Sequence, residues 1–261
     1  MGNTQDNRIS VVINTYNAEK YLEKVLKSVE CFDEIVVCDM ESTDATLRIA
    51  EEYHCRIVTF KRGKNAIVEP ARQFAIDAAT YPWVLVVDAD ELVSPHLASF
   101  LYRKIAEPDC PDAIDIPRKN FFMGQFMHSS YPDHVLRFFR KSKAHWPPVI
   151  HTSPVVDGTI YKISKHDGEM AFVHLANDTV ADIIRKNNVY SDYEVERRID
   201  KTYNLWHLIV RPFFRVFKGF VLKGGYKDGC PGLIYAFLMG TYQLMIVAKI
   251  IEKRITKGRY E

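Results

Sequence analysis

Residues 83–91, Trp-Val-Leu-Val-Val-Asp-Ala-Asp-Glu, are the most informative stretch of this sequence. A continuous apolar run ends there in two carboxylates one residue apart, Asp88 and Asp90. Such a run is typical of a strand that is buried on both faces of a parallel sheet. Because alternate residues of an extended chain point the same way, we predict that both carboxylates project into one crevice, at the strand end where open α/β sheets bind ligands.

Two carboxylates at a strand end suit a hard divalent cation. Mg²⁺ and Mn²⁺ prefer oxygen ligands and commonly share their coordination shell with substrate phosphates. The same pair also fits a solvated turn after a strand, since Asp is common in turns. The metal interpretation therefore depends on the rest of the N-terminal half.

Strand-like and helix-like stretches alternate in that half. Short apolar runs predict strands at 9–13, 34–38, 56–60 and 84–87, and helical spacing predicts helices at 18–29, 43–53 and 65–80. Thr43 or a neighbour is expected to cap the second helix, and Pro70 to lie in the first turn of the third or to break it. This order implies right-handed βαβ crossovers and a mostly parallel sheet.

The pattern changes after about residue 109. Alternating runs at 115–122, 135–139 and 159–163 predict mixed or antiparallel strands with long loops, where an acceptor pocket fits, and 179–201 is compatible with a helix. The predicted domains are a catalytic domain over 1–175, with a nucleotide-binding half at about 8–110 and an acceptor half at about 111–175, and a helical extension over 176–261.

Polar residues follow three of the predicted strands, at 14–17, 39–44 and 88–91. If these strands are parallel neighbours, the three loops meet along one sheet edge, as a nucleotide site requires. Asp39 is then expected to accept hydrogen bonds from a base or ribose. The sequence has no glycine-rich phosphate loop of the Walker or dinucleotide kind, which argues against kinases and dehydrogenases.

Four motifs in this order resemble family 2 glycosyltransferases with the GT-A fold. They are Val-Ile-Asn-Thr-Tyr-Asn at 12–17, Val-Val-Cys-Asp-Met-Glu-Ser-Thr-Asp-Ala-Thr at 36–46, Arg72, and Val-Val-Asp-Ala-Asp at 86–90. The resemblance covers about residues 8–105. It implies a Rossmann-like α/β fold with a mostly parallel sheet flanked by helices, and an inverting transfer of a sugar from a nucleotide diphosphate donor, with a UDP-sugar favoured.

The same resemblance implies roles for individual residues. The residues that it implies for binding of the donor are Thr15, Tyr16, Asn17, Asp39, Arg72 and Asp88. Asp88 and Asp90 are the acidic pair for Mn²⁺ or Mg²⁺, with Asp90 on the metal.

The later half resembles one branch of that family, the lipopolysaccharide-core glucosyltransferases. The matching pieces are Leu-Arg-Phe-Phe-Arg at 136–140, His151, Val-His at 173–174, Lys-Asn-Asn-Val-Tyr at 186–190 and Lys-Gly-Gly-Tyr-Lys-Asp-Gly at 223–229. The implied acceptor is a glycan or lipid-linked glycan of the cell envelope. Thr152 stands where that branch commonly has a glutamate, which puts any role of that glutamate in doubt here.

Inverting transfer needs a base for the acceptor hydroxyl. Asp133, in Tyr-Pro-Asp-His at 131–134, is the preferred candidate, although Pro-Asp is also a common surface turn. His151 is the second catalytic candidate, and it or Lys64 is a possible helper at the departing diphosphate. Structural or metal-proximal roles are equally compatible with His151 and His174.

The C-terminal part is basic and apolar. Residues 206–261 hold ten Lys/Arg against three Asp/Glu, in a chain of net charge +2. Arg211, Arg215 and Lys218 share one helical face among aromatic residues, which favours an anionic membrane surface over nucleic acid, and we expect no nucleic-acid partner. The uncharged stretch 229–248 is about long enough to cross a bilayer, but its Pro, Gly and polar residues favour an interfacial or core-packed helix.

The expected location is the cytoplasmic face of the inner membrane, with peripheral attachment. Residues 1–8 are polar, without the apolar core of a signal peptide, and the five cysteines show no paired spacing, which fits a reducing compartment. Two other interpretations stay open. One is a nucleotidyltransferase, which normally has a glycine- and basic-rich loop after its first strand; the other is a catalytically inactive sugar- or lipid-binding scaffold.

Overall fold

The structure is a computed structural model that describes residues 6–63, 68–148 and 152–260. The chain forms two compact units. The first unit comprises Met1–Lys119 and Pro132–Ala176, and the second comprises Asn120–Tyr131 and Asn177–Glu261. The segment 120–131, predicted to lie in the acceptor half, is thus grouped with the C-terminal helices.

A mixed sheet forms the centre of the first unit. The strands along its main path are β1 (Ile9–Thr15), β2 (Glu34–Asp39), β3 (Arg56–Thr59), β4 (Trp83–Asp88), β5 (Glu91–Val93), β6 (Ala113–Phe122), β8 (Asp133–Arg140) and β12 (Phe172–Asp178), in the order β3-β2-β1-β4-β8-β6-β12-β5. Short β7 (Gln125–Phe126) and β11 (Ile160–Lys162) pair with β6, while β9 (Ala144–His145) and β10 (Val155–Val156) pair with each other.

The two halves of the sheet differ in strand direction. The β1, β2, β3 and β4 strands are parallel, whereas β8 is antiparallel to both β4 and β6, and β12 is antiparallel to β5. The predicted parallel N-terminal half and mixed later half are therefore confirmed. Trp83 to Val87 of β4 are fully buried, as their unbroken apolar run predicted.

Four helices flank this sheet: α1 (Glu19–Val29), α2 (Thr46–Glu52), α3 (Glu69–Ala78) and α4 (Pro95–Ile105). Pro70 lies in the first turn of α3, as predicted. The prediction was a cap by Thr43 or a neighbour; Thr43 itself does not cap α2, which begins only at Thr46, so the neighbour remains. A neighbour, Asp44, accepts hydrogen bonds from the backbone N–H of Thr46 at 3.0 Å and from its hydroxyl. The α4 helix, capped by Ser94, was not predicted.

The second unit is helical. It contains α5 (Val180–Arg198), α6 (Leu205–Phe217) with a π-helical turn over Lys218–Leu222, and α7 (Gly229–Tyr260). Thr179 and Asn204 close the N-termini of α5 and α6 as capping boxes. Val195 of α5 packs with Ile246, Val247 and Ile250 of α7. The stretch 225–256 is long and apolar enough to cross a membrane, with 33% of its most apolar window buried.

Candidate functional site

Thr15 and Asp39 lie side by side where β1 and β2 end. They are register partners in the parallel ladder, and the Thr15 hydroxyl donates to Asp39 Oδ1 at 3.0 Å. Ser42 donates to the same carboxylate from its backbone N–H at 2.9 Å and from its hydroxyl at 2.5 Å. Asp39 is 1% exposed, so its carboxylate holds the loop after β2 in place.

Tyr16 and Asn17 lie on the loop after β1. The Tyr16 side chain is 41% exposed, and the Arg62 guanidinium lies over its ring, 3.6 Å from the centroid. Asn17 has φ of +48°, a conformation that Asn tolerates better than most residues, and its Oδ1 accepts from the Thr43 N–H at 2.8 Å. The two loops after β1 and β2 are therefore tied together beside an accessible aromatic ring.

Asp88, the last residue of β4, is held by two arginines. Arg72 Nη2 donates to its Oδ1 at 2.9 Å, and Arg137 Nη2 donates to its Oδ2 at 2.7 Å. Burial alone would raise the pKa of Asp88, but the Arg137 and Arg72 guanidinium groups outweigh it and lower the pKa well below its usual value. Asp88 is therefore a fixed anion between two cations.

The two arginines also carry donors without partners among the described residues. The guanidinium carbons of Arg72 and Arg137 lie 4.8 and 5.2 Å from the Trp146 ring centroid. Arg72 Nε and Nη1, Arg137 Nη1 and Trp146 Nε1 are buried and make no hydrogen bond there. Two cations facing one carboxylate, with several N–H groups to spare, form a positive, donor-rich site of the kind that binds phosphate oxygens.

Asp90 lies in the turn between β4 and β5 and faces a different partner from Asp88. His174 Nε2 is 3.3 Å from Asp90 Oδ2, because the antiparallel β5–β12 pairing aligns His174 with Glu91. Burial would lower the pKa of His174, but Asp90 outweighs it and raises the pKa. The prediction that Asp88 and Asp90 point the same way assumed an extended chain through both residues. The β4 strand ends at Asp88, so this alternation does not reach Asp90.

The Asp90–His174 pair offers a cation one carboxylate and one imidazole. Asp90 is about one-third exposed and His174 about one-fifth. Among the described residues, no three His, Cys, Asp or Glu side chains are grouped as a complete metal site. The arrangement fits a cation that takes its remaining ligands from phosphate and water, as Mg²⁺ usually does.

Asp133 begins β8 and pairs with Arg118, whose side chain is about one-fifth exposed. Arg118 donates to Asp133 Oδ2 from Nε at 3.0 Å and from Nη2 at 2.6 Å, and to Glu91 Oε1 at 2.8 Å. Burial opposes the charge of Arg118, yet Glu91 and Asp133 raise its pKa. Burial and the charge of Asp88 raise the pKa of Glu91, whose side chain has no exposure.

Sequence reasoning missed both Arg118 and Glu91. Both residues could have been noticed in the sequence. Glu91 is the last residue of the stretch 83–91, and Arg118 is a charged residue within the alternating run 115–122. His151 and Lys64 lie outside the described residues. Thr152 donates from its hydroxyl to the Pro147 carbonyl at 3.3 Å.

Comparison with known proteins gives a consistent result. The sequence model described as Glycosyl transferase family 2 matches residues 10–168. LpsC of Rhizobium meliloti (strain 1021), a lipopolysaccharide core biosynthesis glycosyltransferase, is 25% identical over 266 residues, covering 96% of this chain and 94% of LpsC. An uncharacterized glycosyltransferase of Rickettsia felis is 23% identical over 269 residues, covering 94% of this chain and 90% of that protein.

One solved structure supports the fold over nearly the whole chain. The mannosyltransferase PcManGT from Pyrobaculum calidifontis, solved in complex with GDP-Man and Mn²⁺, superposes with a TM-score of 0.54 at 15% identity. The match covers 95% of this chain and 88% of PcManGT. The architecture is thus that of a GT-A-type glycosyltransferase.

Proposed function

This chain belongs to glycosyl transferase family 2 and is a glycosyltransferase, and from that premise we propose its reaction. It transfers a sugar, with inversion, from a nucleotide diphosphate donor to a cell-envelope glycan such as a lipopolysaccharide core. The observation that carries this proposal is the Arg72–Asp88–Arg137 cluster at the end of β4, next to the Asp90–His174 pair. The similarity to LpsC along nearly the full length of both chains supports the acceptor class.

The loops after β1 and β2 are proposed to hold the nucleoside. The Tyr16 ring provides a stacking surface for a base, and the adjacent Thr15 is held in place by its hydrogen bond to Asp39. UDP is our favoured nucleotide. PcManGT was solved with GDP-Man, so both uridine and guanosine donors belong in any test.

The diphosphate is proposed to lie against Arg72 and Arg137. Their unused N–H groups supply charge-assisted hydrogen bonds to phosphate oxygens, and Asp88 keeps both guanidinium groups in position. Mn²⁺ or Mg²⁺ would be held by Asp90, with His174 beside it. The cation would supply positive charge that stabilises the departing diphosphate. Asp88 is the weaker candidate for a metal ligand, because both of its oxygens already accept from arginines.

Asp133 is proposed to take the proton from the acceptor hydroxyl. Arg118 fixes the carboxylate through two hydrogen bonds to one oxygen. A base must be oriented before the acceptor arrives, and this contact holds the carboxylate in one orientation. His151 is the alternative candidate for this base.

The second unit is proposed to attach the enzyme to an anionic membrane. An α6 aromatic face, which we define as Leu205, Trp206, Ile209, Phe213, Phe214 and Phe217, is at least half exposed at every position. On another side of this helix, a Cβ on Gly240 of α7 would lie only 2.6 Å from Val216 Cγ2, so α6 and α7 pack closely there. Exposed rings among basic residues suit the interface of an anionic membrane.

The reaction is tested by donor turnover. We expect the purified chain to release nucleoside diphosphate from one sugar nucleotide in a UDP and GDP panel, with Mn²⁺ or Mg²⁺, and to transfer the sugar to rough-type lipopolysaccharide. Analysis of the product anomer by NMR tests inversion. If no donor is turned over in either metal, and none is bound in calorimetry, the chain is not the enzyme proposed here.

Membrane attachment is tested by sedimentation with vesicles of phosphatidylcholine and phosphatidylglycerol. The variant Trp206→Ser/Phe213→Ser should bind at least about a hundredfold more weakly, since burying each ring contributes about 2 kcal/mol. The matched control is Val155→Ser/Ile160→Ser, which removes two comparably exposed apolar side chains from the first unit. Equal binding of both double variants would contradict the proposal.

A further inference from the structure

The second unit contains a buried carboxylate that the proposed reaction does not use. Asp228 lies in the 3₁₀ turn Gly225–Asp228, just before α7, and its side chain has no exposure. It accepts hydrogen bonds from the backbone N–H groups of His128 at 2.8 Å and Ser129 at 3.0 Å. Its third partner is the His128 ring, whose Nδ1 is 2.7 Å away.

This contact prepares the His128 imidazole for binding. Burial would raise the pKa of Asp228, but the backbone N–H groups of Ser129 and His128 lower it, so the carboxylate is an anion. An anionic acceptor at Nδ1 places a ring hydrogen there and fixes the ring orientation, so Nε2 is the nitrogen that remains for a ligand. The His128 side chain is 54% exposed, so this oriented ring is open to a ligand.

Aromatic side chains surround this histidine. The Phe126 ring makes edge contacts with the rings of His128, Tyr131 and Phe121, at centroid distances of 4.9, 5.5 and 6.1 Å. The neighbouring Gln125 is tied to the same turn, since its Nε2 donates to the Asp228 carbonyl at 2.7 Å. Asp228 thus fixes both the histidine and the strand that carries Phe126.

A ring surface beside one oriented hydrogen-bonding group fits a carbohydrate. A sugar presents an apolar C–H face and hydroxyl groups at its edge, and small-molecule sites combine apolar or aromatic lining with a few placed polar groups. The segment 120–131 also follows Lys119 and precedes Pro132, so it connects the strands that carry Arg118 and Asp133.

We propose that the segment 120–131 binds the saccharide acceptor, with a sugar ring on Phe126 and Tyr131 and a hydrogen bond between a sugar hydroxyl and His128 Nε2. Asp228 is the positioning residue of this site. The proposal rests on the proposed function for the class of ligand, which is a neutral, hydroxyl-rich part of an envelope glycan.

Binding can be measured without any turnover. The probe is the core oligosaccharide released by mild acid from rough-type lipopolysaccharide, titrated by NMR into the full chain. We expect His128→Ala and Phe126→Ala each to weaken binding by at least about fivefold, the loss of one hydrogen bond or ring contact. The matched control is His96→Ala, since His96 is a comparably exposed histidine that also contacts a carboxylate, Glu169.

A rescue variant separates binding from structure. His128→Gln carries an amide oxygen near the place of Nε2 and should recover part of the affinity that His128→Ala loses. Release of nucleoside diphosphate without acceptor should stay within about twofold of wild type in all these variants, because the donor residues are untouched. Binding equal to wild type in His128→Ala and Phe126→Ala would overturn the proposal, as would a wild-type chain that binds no oligosaccharide. Absent donor turnover with intact oligosaccharide binding would instead overturn the proposed function alone.

Discussion

The end of β4 in the first unit and the α6 aromatic face in the second both depart from the usual burial of residues. The first buries charged side chains, and the second exposes apolar ones. At the end of β4, charged side chains such as Glu91 and Arg137 are buried within an apolar body. On α6, Trp206 and Phe213 are about 70% exposed. Buried charges and exposed large apolar patches are the informative departures from normal burial. The first suits a small anionic ligand, and the second suits contact with an apolar phase.

The comparison also predicts where stability and function separate. A buried charge is tolerable only when its partners remain, so changes at the end of β4 affect both folding and binding. Exposed rings on α6 contribute little to folding, so changes there should affect only the proposed membrane attachment.

The largest expected effect is on turnover at Asp90. Asp90→Ala should lower sugar transfer by about a thousandfold, because the proposed cation would lose its carboxylate ligand. The fold should be kept, since Asp90 is partly exposed. Initial rates over a range of Mn²⁺ concentrations measure this. Asp157→Ala is the control, as the Asp157 side chain is 96% exposed; unchanged transfer in Asp90→Ala would remove Asp90 from the reaction.

Removal of Arg137 should destabilise the first unit. Arg137→Met leaves Asp88 with one cation in a mostly buried site, and the free energy of unfolding should fall by about 3 kcal/mol. Urea unfolding followed by circular dichroism measures it. The exposed Arg103→Met serves as the comparison, and a change as small as that of Arg103→Met would show that Arg137 does not hold Asp88.

Asp228 should stabilise the second unit in a pH-dependent way. Asp228→Asn should cost about 2 kcal/mol at neutral pH, because two backbone donors and the His128 ring lose an anionic acceptor. The folded pKa of Asp228 is lowered, so its contribution is present above its unfolded pKa of about 4 and is lost as the pH falls below that value.

Thermal unfolding of wild type and Asp228→Asn between neutral pH and about pH 3 checks this expectation. The two curves should converge as the pH falls, whereas the exposed Asp200→Asn should follow wild type throughout. A difference that stays constant down to the lowest pH would contradict the charge-based account.

The smallest expected effect concerns the charges near the α6 aromatic face. Lys218→Gln should weaken binding to anionic vesicles by about fivefold, which corresponds to about 1 kcal/mol for one surface cation. Added salt at about 1 M should remove the difference by screening. Lys24→Gln, an exposed lysine of α1, is the control. Equal binding of both variants at low salt would mean that the basic residues play no part in attachment.

The N-terminal half of the fold follows closely from sequence. The apolar runs of β1, β2 and β4 and the helical spacing of α1 are local patterns, and the structure has each of them within about two residues. Of the two predicted options for the cap of α2, Thr43 or a neighbour, the structure has the neighbour, since Asp44 accepts from the backbone N–H of Thr46. Competing caps of similar strength lie within a few residues, and sequence alone does not rank them.

The candidate site was only partly predictable, for a different reason. Asp88 and Asp90 were found by motif, but their partners Arg137 and His174 lie on β8 and β12, far along the chain. The antiparallel pairing of β8 with β4 and of β12 with β5 places Arg137 and His174 beside the two aspartates. A local sequence pattern does not give the register of strands that are far apart in the chain. For the same reason, the sequence did not predict the contact between Arg118 and Glu91 or the contact between His128 and Asp228.

The most direct test of the account is the position of the cation. Crystals grown with Mn²⁺ and a nucleoside diphosphate, measured at the manganese absorption edge, should show an anomalous peak in contact with the Asp90 carboxylate and diphosphate oxygens beside Arg72 and Arg137. A nucleotide bound elsewhere, or a cation with no contact to Asp90, would contradict the account.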